Sequence, residues 1–242
     1  MKITVLDSRQ DVAAALADRV AAALRAKPHV VLGLASGRTP VDGYAELRRL
    51  NATGEIDWSR ASTFNLDEFA GIDDRHPGSF RAFMDRHLFG GVNLRRERIH
   101  FLNGAAANLD AECEHYESAI AAAGGIDLQL LGIGSNGHIG FNEPGDELPV
   151  RTHRVRLTES TRRDNAMLFD NDPARVPVEA LSMGIGTILR ARRIVLVATG
   201  AKKAHCIRQA TNGRLTTRVP ASMLQLHGDV ELLLDREAAL LI

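Results

Sequence analysis

The sequence predicts an α/β fold: a mostly parallel sheet with helices on both faces, forming a single catalytic domain over residues 1–242. Three observations carry this. Short apolar runs alternate with helical patterns along the chain, the mark of strand–helix–strand units. Two of those runs, His29–Ala35 ("HVVLGLA") and Arg193–Thr199 ("RIVLVAT"), are apolar at successive rather than alternate positions, as strands buried on both faces are. Residues at about 145–180 are rich in Arg, Asp, Asn, Thr and Pro without a sustained apolar period, and read as an excursion from the core, a lid.

The elements follow in order. Ile3–Leu6 ("ITVL") is a first strand, and Ser8–Asp11 has the form of a capping box. Val12, Leu16, Val20 and Leu24 repeat every four residues as one helical face, which Lys27-Pro28 ends. After the run at His29–Ala35, Thr39 suits an N-cap and Pro40 a first helical position, with Asp42 third. Ser62–Phe69 ("STFNLDEF") starts as a strand and ends in acid, and a helix runs from about Ser79 to Leu88. Leu109, Cys113, Tyr116 and Ile120 mark another helix, stopped by Gly124-Gly125. Ile126–Gly134 is the next strand. "RIVLVAT" precedes a capped helix in "GAKKAHCIRQATNG", and "SMLQLH" and "VELLLD" close the chain as strand-like runs.

Composition narrows the function. Lys plus Arg and Asp plus Glu number 30 each, so net charge predicts neither nucleic-acid nor membrane binding. Cys113 and Cys206 lack metal-ligand spacing, and reduced thiols are expected. An aspartate at position 7 argues against a signal peptide, and no apolar run reaches the ~18 residues that span a bilayer. A cytoplasmic protein is expected.

Four polar motifs each follow a strand-like run: "ASGRTP", "NLDEF", "GSNGHIGFNEP" and "TGAKK". In an open parallel sheet ligands bind at the carboxyl ends of strands. Ser36, Gly37, Arg38 and Thr39 form a strand-to-helix turn whose N–H groups and hydroxyls can hold an anion. Alone it reads as an ordinary capped turn, and its spacing fits neither GxxxxGK[ST] nor GxGxxG, which favours a sugar phosphate over a nucleotide. Asp67 and Glu68 point to opposite faces of an extended segment, so one of them faces a given site, where a carboxylate can act as a general base. His138 can move protons near neutral pH. Glu143 can orient it, and Asn136 can hydrogen-bond but not take a proton. One histidine without H-E-x-x-H or C-x-x-C spacing argues against a metal. Lys202 and Lys203 at a helix start oppose the helix dipole unless an anion is bound there.

These residues resemble the glucosamine-6-phosphate deaminase (isomerase) family nearly end to end, through "LGLASGRTPVDGYAEL", "TFNLDEFAGI", "HPGSF", "GHIGFNEPG", "FDND", "VPVEALSMGIGTIL" and "LQLH". The resemblance implies a modified doubly wound, Rossmann-like fold and conversion of glucosamine 6-phosphate and water to fructose 6-phosphate and ammonia, in amino-sugar catabolism. No redox cofactor or metal is required. Asp67 resembles the enolisation base and His138 the ring-opening acid/base, with Asn136 and Glu143 flanking it. Ser36, Gly37, Arg38, Thr39 and Lys203 fall where the phosphate is held.

Three departures stand out. Asn136 replaces the Asp that many members carry. A lid arginine aligns with Met167, leaving Arg38, Arg162 and Arg163 as substitutes. His153 and Val155 stand where hexameric members activated by N-acetylglucosamine 6-phosphate carry basic residues, and the longer C-terminus of those members is missing. The partner expected is a small amino-sugar phosphate, with homo-oligomerisation left open. Rival readings are a galactosamine-6-phosphate isomerase, a 6-phosphogluconolactonase and a non-catalytic sugar-phosphate sensor. Asp67 and "GHIGFNEP" oppose the lactonase, and a first strand at Ile3 opposes a sensor with a DNA-binding segment ahead of it.

Overall fold

The computed structural model describes residues 1–242 and begins with β1 (Lys2–Leu6) and α1 (Arg9–Ala26). Ser8 caps α1 by accepting the Asp11 N–H at 3.1 Å, and Val12, Leu16, Val20 and Leu24 are buried beneath it. Next come β2 (Val31–Leu34), α2 (Val41–Ala52), β3 (Ser62–Asn65), β4 (Asp67–Phe69), α3 (Phe80–His87), β5 (Ile99–His100), α4 (Leu109–Ala122) and β6 (Leu128–Leu131). The chain continues through β7 (His153–Arg156), α5 (Glu159–Asn165), β8 (Glu179–Ser182), α6 (Ile185–Leu189), β9 (Arg193–Ala198), α7 (Ala204–Thr211) and β10 (Val230–Asp235).

Seven strands form one parallel sheet in the order β1-β10-β9-β6-β2-β3-β5. Alternate residues along its strands feed two apolar layers, as full burial requires. Leu32, Leu34, Leu130 and Val195 pack with α1, α2 and α3, whereas Val31, Leu131, Ile194 and Leu196 pack with α4, α6 and α7.

Local expectations are corrected at several places. Pro40, not Thr39, is the N-cap position of α2, and no side chain caps the helix. Pro40 already has near-helical dihedrals, and its carbonyl accepts the Tyr44 N–H at 2.8 Å. "SMLQLH" is not a strand: a 3-10 helix spans Pro220–Leu226, opened by a proline that has no N–H to give a sheet. A short 3-10 turn, Ala201–Lys203, precedes α7, so Lys203 occupies the cap position of that helix.

The run Ser62–Phe69 serves two sheets. At Leu66 the chain leaves the parallel sheet, and β4 joins an antiparallel sheet of order β4-β8-β7. The region around residues 145–180 contributes β7, α5 and the start of β8 to this layer. Leu157, Ala166, Phe169 and Val176 pack there on Phe69 and Phe80. Their spacing follows neither a helical nor a strand period because several short elements share one small core.

Candidate active site

The four polar motifs follow β9, β6, β2 and β3, which are adjacent in the sheet. They converge at its carboxyl edge, where open α/β sheets bind ligands.

The turn Ser36–Thr39 leaves β2 with Gly37 at φ +112°, a conformation that favours glycine. Asn65 Nδ2, at the end of β3, donates to Ser36 Oγ at 3.4 Å. From the start of α7, Lys203 Nζ reaches across to the Ile133 carbonyl beyond β6, at 2.7 Å. Burial depresses the Lys203 pKa, and the nearby Arg38 charge adds to this, while Cys206 and Asp164 oppose it. Lys203 at the start of α7 and Arg38 in the turn before α2 are therefore two cations close enough to repel, an arrangement that an anion relieves. Lys202 is exposed.

Asp67 is buried, at 7% exposure. Burial, with the neighbouring Glu68 charge added, pushes its pKa up to about 8, and no hydrogen-bond donor opposes the rise. Glu68 faces the other way, as alternation requires. It accepts the N–H groups of Phe69, Phe80 and Arg81, each at 2.9 Å, and so fastens the start of α3. Burial pushes Glu68 up to about 7 against the pull of those bonds.

The loop after β6 folds back on itself. The His138 ring lies on Gly134, where a Cβ would stand 2.3 Å from the imidazole Cε1; only glycine leaves room. Asn136 Oδ1 accepts the His138 backbone N–H at 3.1 Å, and its Nδ2 donates to Glu143 Oε2 at 2.8 Å. Glu143 Oε1 lies 3.6 Å from His138 Nδ1. Burial would raise the Glu143 pKa, but His138, Thr161 and Asn136 outweigh it and hold the carboxyl below its usual range. Gly140 brings this loop against β4 and β8: a Cβ there would lie 2.9 Å from Ser182 Oγ and 3.8 Å from Asp67 Oδ2.

The structure thus places Asp67 beside the loop carrying Asn136, His138 and Glu143, and groups Arg38 and its turn with Lys203. Of the three arginines considered beside Met167, Arg162 is committed to the carbonyls of Pro173, Ala174 and Val176. Arg163 is exposed and pairs with Glu159 at 3.5 Å, while Arg38 stands near Lys203. Met167 is 50% exposed.

Two residues escape the sequence reading. Ser182 pairs with Asp67 in register, and its hydroxyl accepts the Phe141 N–H at 3.0 Å. Thr161 donates its hydroxyl to Glu143 Oε1. Ser182 lies within the quoted string "VPVEALSMGIGTIL" and Thr161 within a charged run, but neither hydroxyl is marked by its neighbours, and both reach partners distant in sequence.

A parallel sheet with an acid, a histidine loop and a lysine gathered at its carboxyl edge is the arrangement of an α/β protein with a candidate ligand site there. The family described as glucosamine-6-phosphate isomerases/6-phosphogluconolactonase matches residues 7–233, and the chain belongs to it. A glucosamine-6-phosphate deaminase of Alkaliphilus metalliredigens is 47% identical over 242 residues, covering 100% of both chains. One from Thermoanaerobacter sp. (strain X514) is 45% identical over 242 residues, covering 100% of this chain and 95% of its own. A solved monomeric glucosamine-6-phosphate deaminase is 42% identical over 100% of both chains, with a TM-score of 0.97. The 6-phosphogluconolactonase of Trypanosoma brucei, 21% identical over 98% of this chain and 97% of its own with a TM-score of 0.73, shares the fold. The family resemblance and the α/β architecture read from the sequence are both borne out. No helix is long and apolar enough to cross a membrane.

Proposed function

We propose that this enzyme is an isomerising deaminase that converts glucosamine 6-phosphate and water to fructose 6-phosphate and ammonia. The observation that carries the reading is the pairing, at one sheet edge, of a buried carboxylate free of donors with a histidine loop backed by Glu143 and an anion-ready turn. Full-length relatives named glucosamine-6-phosphate deaminase at 45–47% identity support it.

The chemistry assigns a task to each group. Arg38, Lys203 and the turn Ser36–Thr39 hold the phosphate, whose binding energy fixes the reacting carbons. His138 moves a proton between the ring and anomeric oxygens, opening the sugar. Asp67, ionised, removes the C2 proton, and protonation of the former carbonyl oxygen at C1 gives an enolamine. Return of the Asp67 proton to C1, with loss of a proton from the amine nitrogen, leaves an imine at C2, which water hydrolyses to the ketone with release of ammonia. A carboxylate whose pKa is raised toward neutrality is a stronger base than an ordinary one, which suits it to abstract a carbon-bound proton. The region around residues 145–180 covers the site as a lid, with α5 as its inner helix.

Ammonia and fructose 6-phosphate released from glucosamine 6-phosphate, with galactosamine 6-phosphate and 6-phosphogluconolactone assayed in parallel, test the reading. Turnover of the gluco substrate well above the other two is expected. Hydrolysis of the lactone without ammonia release from either amino sugar would sink it.

A further inference from the structure

His138 Nδ1 is buried and has no hydrogen-bond partner. Buried polar atoms of this kind are uncommon and call for a reason. Glu143 Oε1 faces it at 3.6 Å, close enough for charge attraction but beyond hydrogen-bonding distance, and that oxygen is already drawn toward another donor. The Thr161 hydroxyl donates to Oε1, while Asn136 holds Oε2 at 2.8 Å. Thr161 is itself constrained. It is 2% exposed, it sits in the first turn of α5, and its Oγ1 accepts the Thr158 hydroxyl at 3.1 Å. With that lone pair engaged, its own proton is directed at Glu143.

We propose that Thr161 is a positioning residue whose hydroxyl competes with the His138 imidazole for Glu143 Oε1, so that the placement of α5 decides whether the His138–Glu143 pair engages. This rests on the reading of His138 as the ring-opening group. In the arrangement seen, Glu143 is divided between Asn136 and Thr161, and the imidazole lacks the acceptor that would fix its orientation. A shift of α5 that withdraws Thr161 frees Oε1. Closing the gap then takes a side-chain movement of roughly 1 Å to reach ordinary hydrogen-bond length. An acid/base oriented by a third group in this way is a recurrent catalytic device. The exchange balances: Thr161 keeps its proton and changes acceptor, and Glu143 replaces one donor with another. The lid helix and the catalytic loop are thereby linked through one oxygen atom, and ring opening is timed to lid movement rather than available at all times.

The test is proton NMR of the whole, substrate-free protein with ¹⁵N-labelled histidine. An imidazole N–H held by a carboxylate gives a far-downfield resonance, identified by its loss in Glu143→Gln. It is expected to be absent in the parent protein, present in Thr161→Val, and absent in Thr161→Ser, which keeps the hydroxyl. Turnover follows: kcat of Thr161→Val departs from the parent by about threefold or more, and Thr161→Ser restores it. A resonance in the parent, none in Thr161→Val, matching behaviour of the Ser and Val variants, or an unchanged kcat in Thr161→Val would each overturn the proposal. Should Thr161→Val not fold, Thr161→Ala is read by the same criteria. The spectra need no substrate, so a failed deamination assay would remove the functional reading while leaving the competition for Glu143 decided on its own.

Discussion

Glu231 and Asp67 are both buried carboxylates, exposed by 1% and 7%, yet they stand at opposite electrostatic extremes. Glu231, on β10, receives Arg19 Nε at 2.9 Å and Nη2 at 3.0 Å, Arg193 Nη2 at 2.7 Å and the Thr4 hydroxyl at 3.1 Å. Those bonds, Arg19's above all, hold its pKa down to about 2. Asp67 receives no donor, and burial pushes it up to about 8. Burial opposes charge in both places; the partners decide whether the charge survives. In the frame of the sheet the charge is fully compensated and clamps β1, β10, β9 and α1 together. At the carboxyl edge it is left short of partners, and the same contrast separates Arg19, paired bidentately with Glu231, from Lys203, which has one carbonyl. An ion short of partners is one that a substrate can complete.

The strongest attack on this contrast is Asp67→Asn. Loss of a general base lowers kcat by about 10²–10⁴-fold, with substrate binding largely kept, as steady-state and binding measurements would show. An unchanged kcat removes Asp67 from the mechanism. The contrast also sets the pH dependence. In the proposed reaction Asp67 acts as the carboxylate, so kcat/KM should climb with pH as the free enzyme titrates through about 8. For stability the sign is the reverse. The folded state holds the Asp67 proton more tightly than the unfolded chain, so the group's contribution is greatest below the ordinary carboxylate range and is lost as pH rises toward about 8. Asp67→Asn is therefore expected to melt several degrees higher than the parent at pH near that value. A lower melting temperature there would show that Asp67 is stabilised by something other than its proton.

Lys203→Ala comes next in size. It should raise KM by about 10–100-fold, the cost of a lost charge-assisted contact, and weaken inhibition by inorganic phosphate in step. If both are unaltered, the phosphate sits elsewhere.

Glu231→Gln tests the other arm. Replacing the shared carboxylate by an amide removes the charge and one acceptor oxygen, leaving Arg19 and Arg193 partly buried without an anion, and urea denaturation should show a loss of about 1–3 kcal/mol with kcat intact. The stability held by Glu231 is complete above 4.5, its reference value, and is lost as pH falls toward about 2. The variant should accordingly lack the parent's steep acid limb. Equal acid sensitivity of the two proteins would mean that the clamp is not what acid breaks.

The smallest effect expected is none at all. On β7, burial depresses the His153 pKa, which disfavours a charge there at neutral pH, Val155 carries no charge, and Arg154 between them is paired with Glu179 at 2.6 Å. Activation needs a second site that binds two global states unequally. N-Acetylglucosamine 6-phosphate should leave hyperbolic saturation curves unchanged; a sigmoid curve straightened by it would show that β7 holds an effector after all.

What the sequence by itself determined is the parallel sheet and the four polar motifs that follow its adjacent strands. Period-four repeats such as Val12–Leu24 and uninterrupted apolar runs such as Arg193–Thr199 are local signals, since a helix face and a fully buried strand each impose their own periodicity. The motifs after four of those runs were legible for the same reason: clusters of glycine, proline and polar residues interrupt an apolar run. The tertiary structure alone decided how the site is wired. That β4 leaves the parallel sheet at Leu66, that Ser182 stands opposite Asp67, and that Thr161 reaches Glu143 all depend on pairings between residues 18 to more than 100 positions apart. No local pattern marks such partners, because a hydroxyl's role is set by which backbone or carboxylate the fold brings within 3 Å of it. The opposite fates of Glu231 and Asp67 have the same origin. Both are acids in or beside apolar runs, and the approach of Arg19 and Arg193 to one of them separates a paired carboxylate from one that burial holds toward its protonated form.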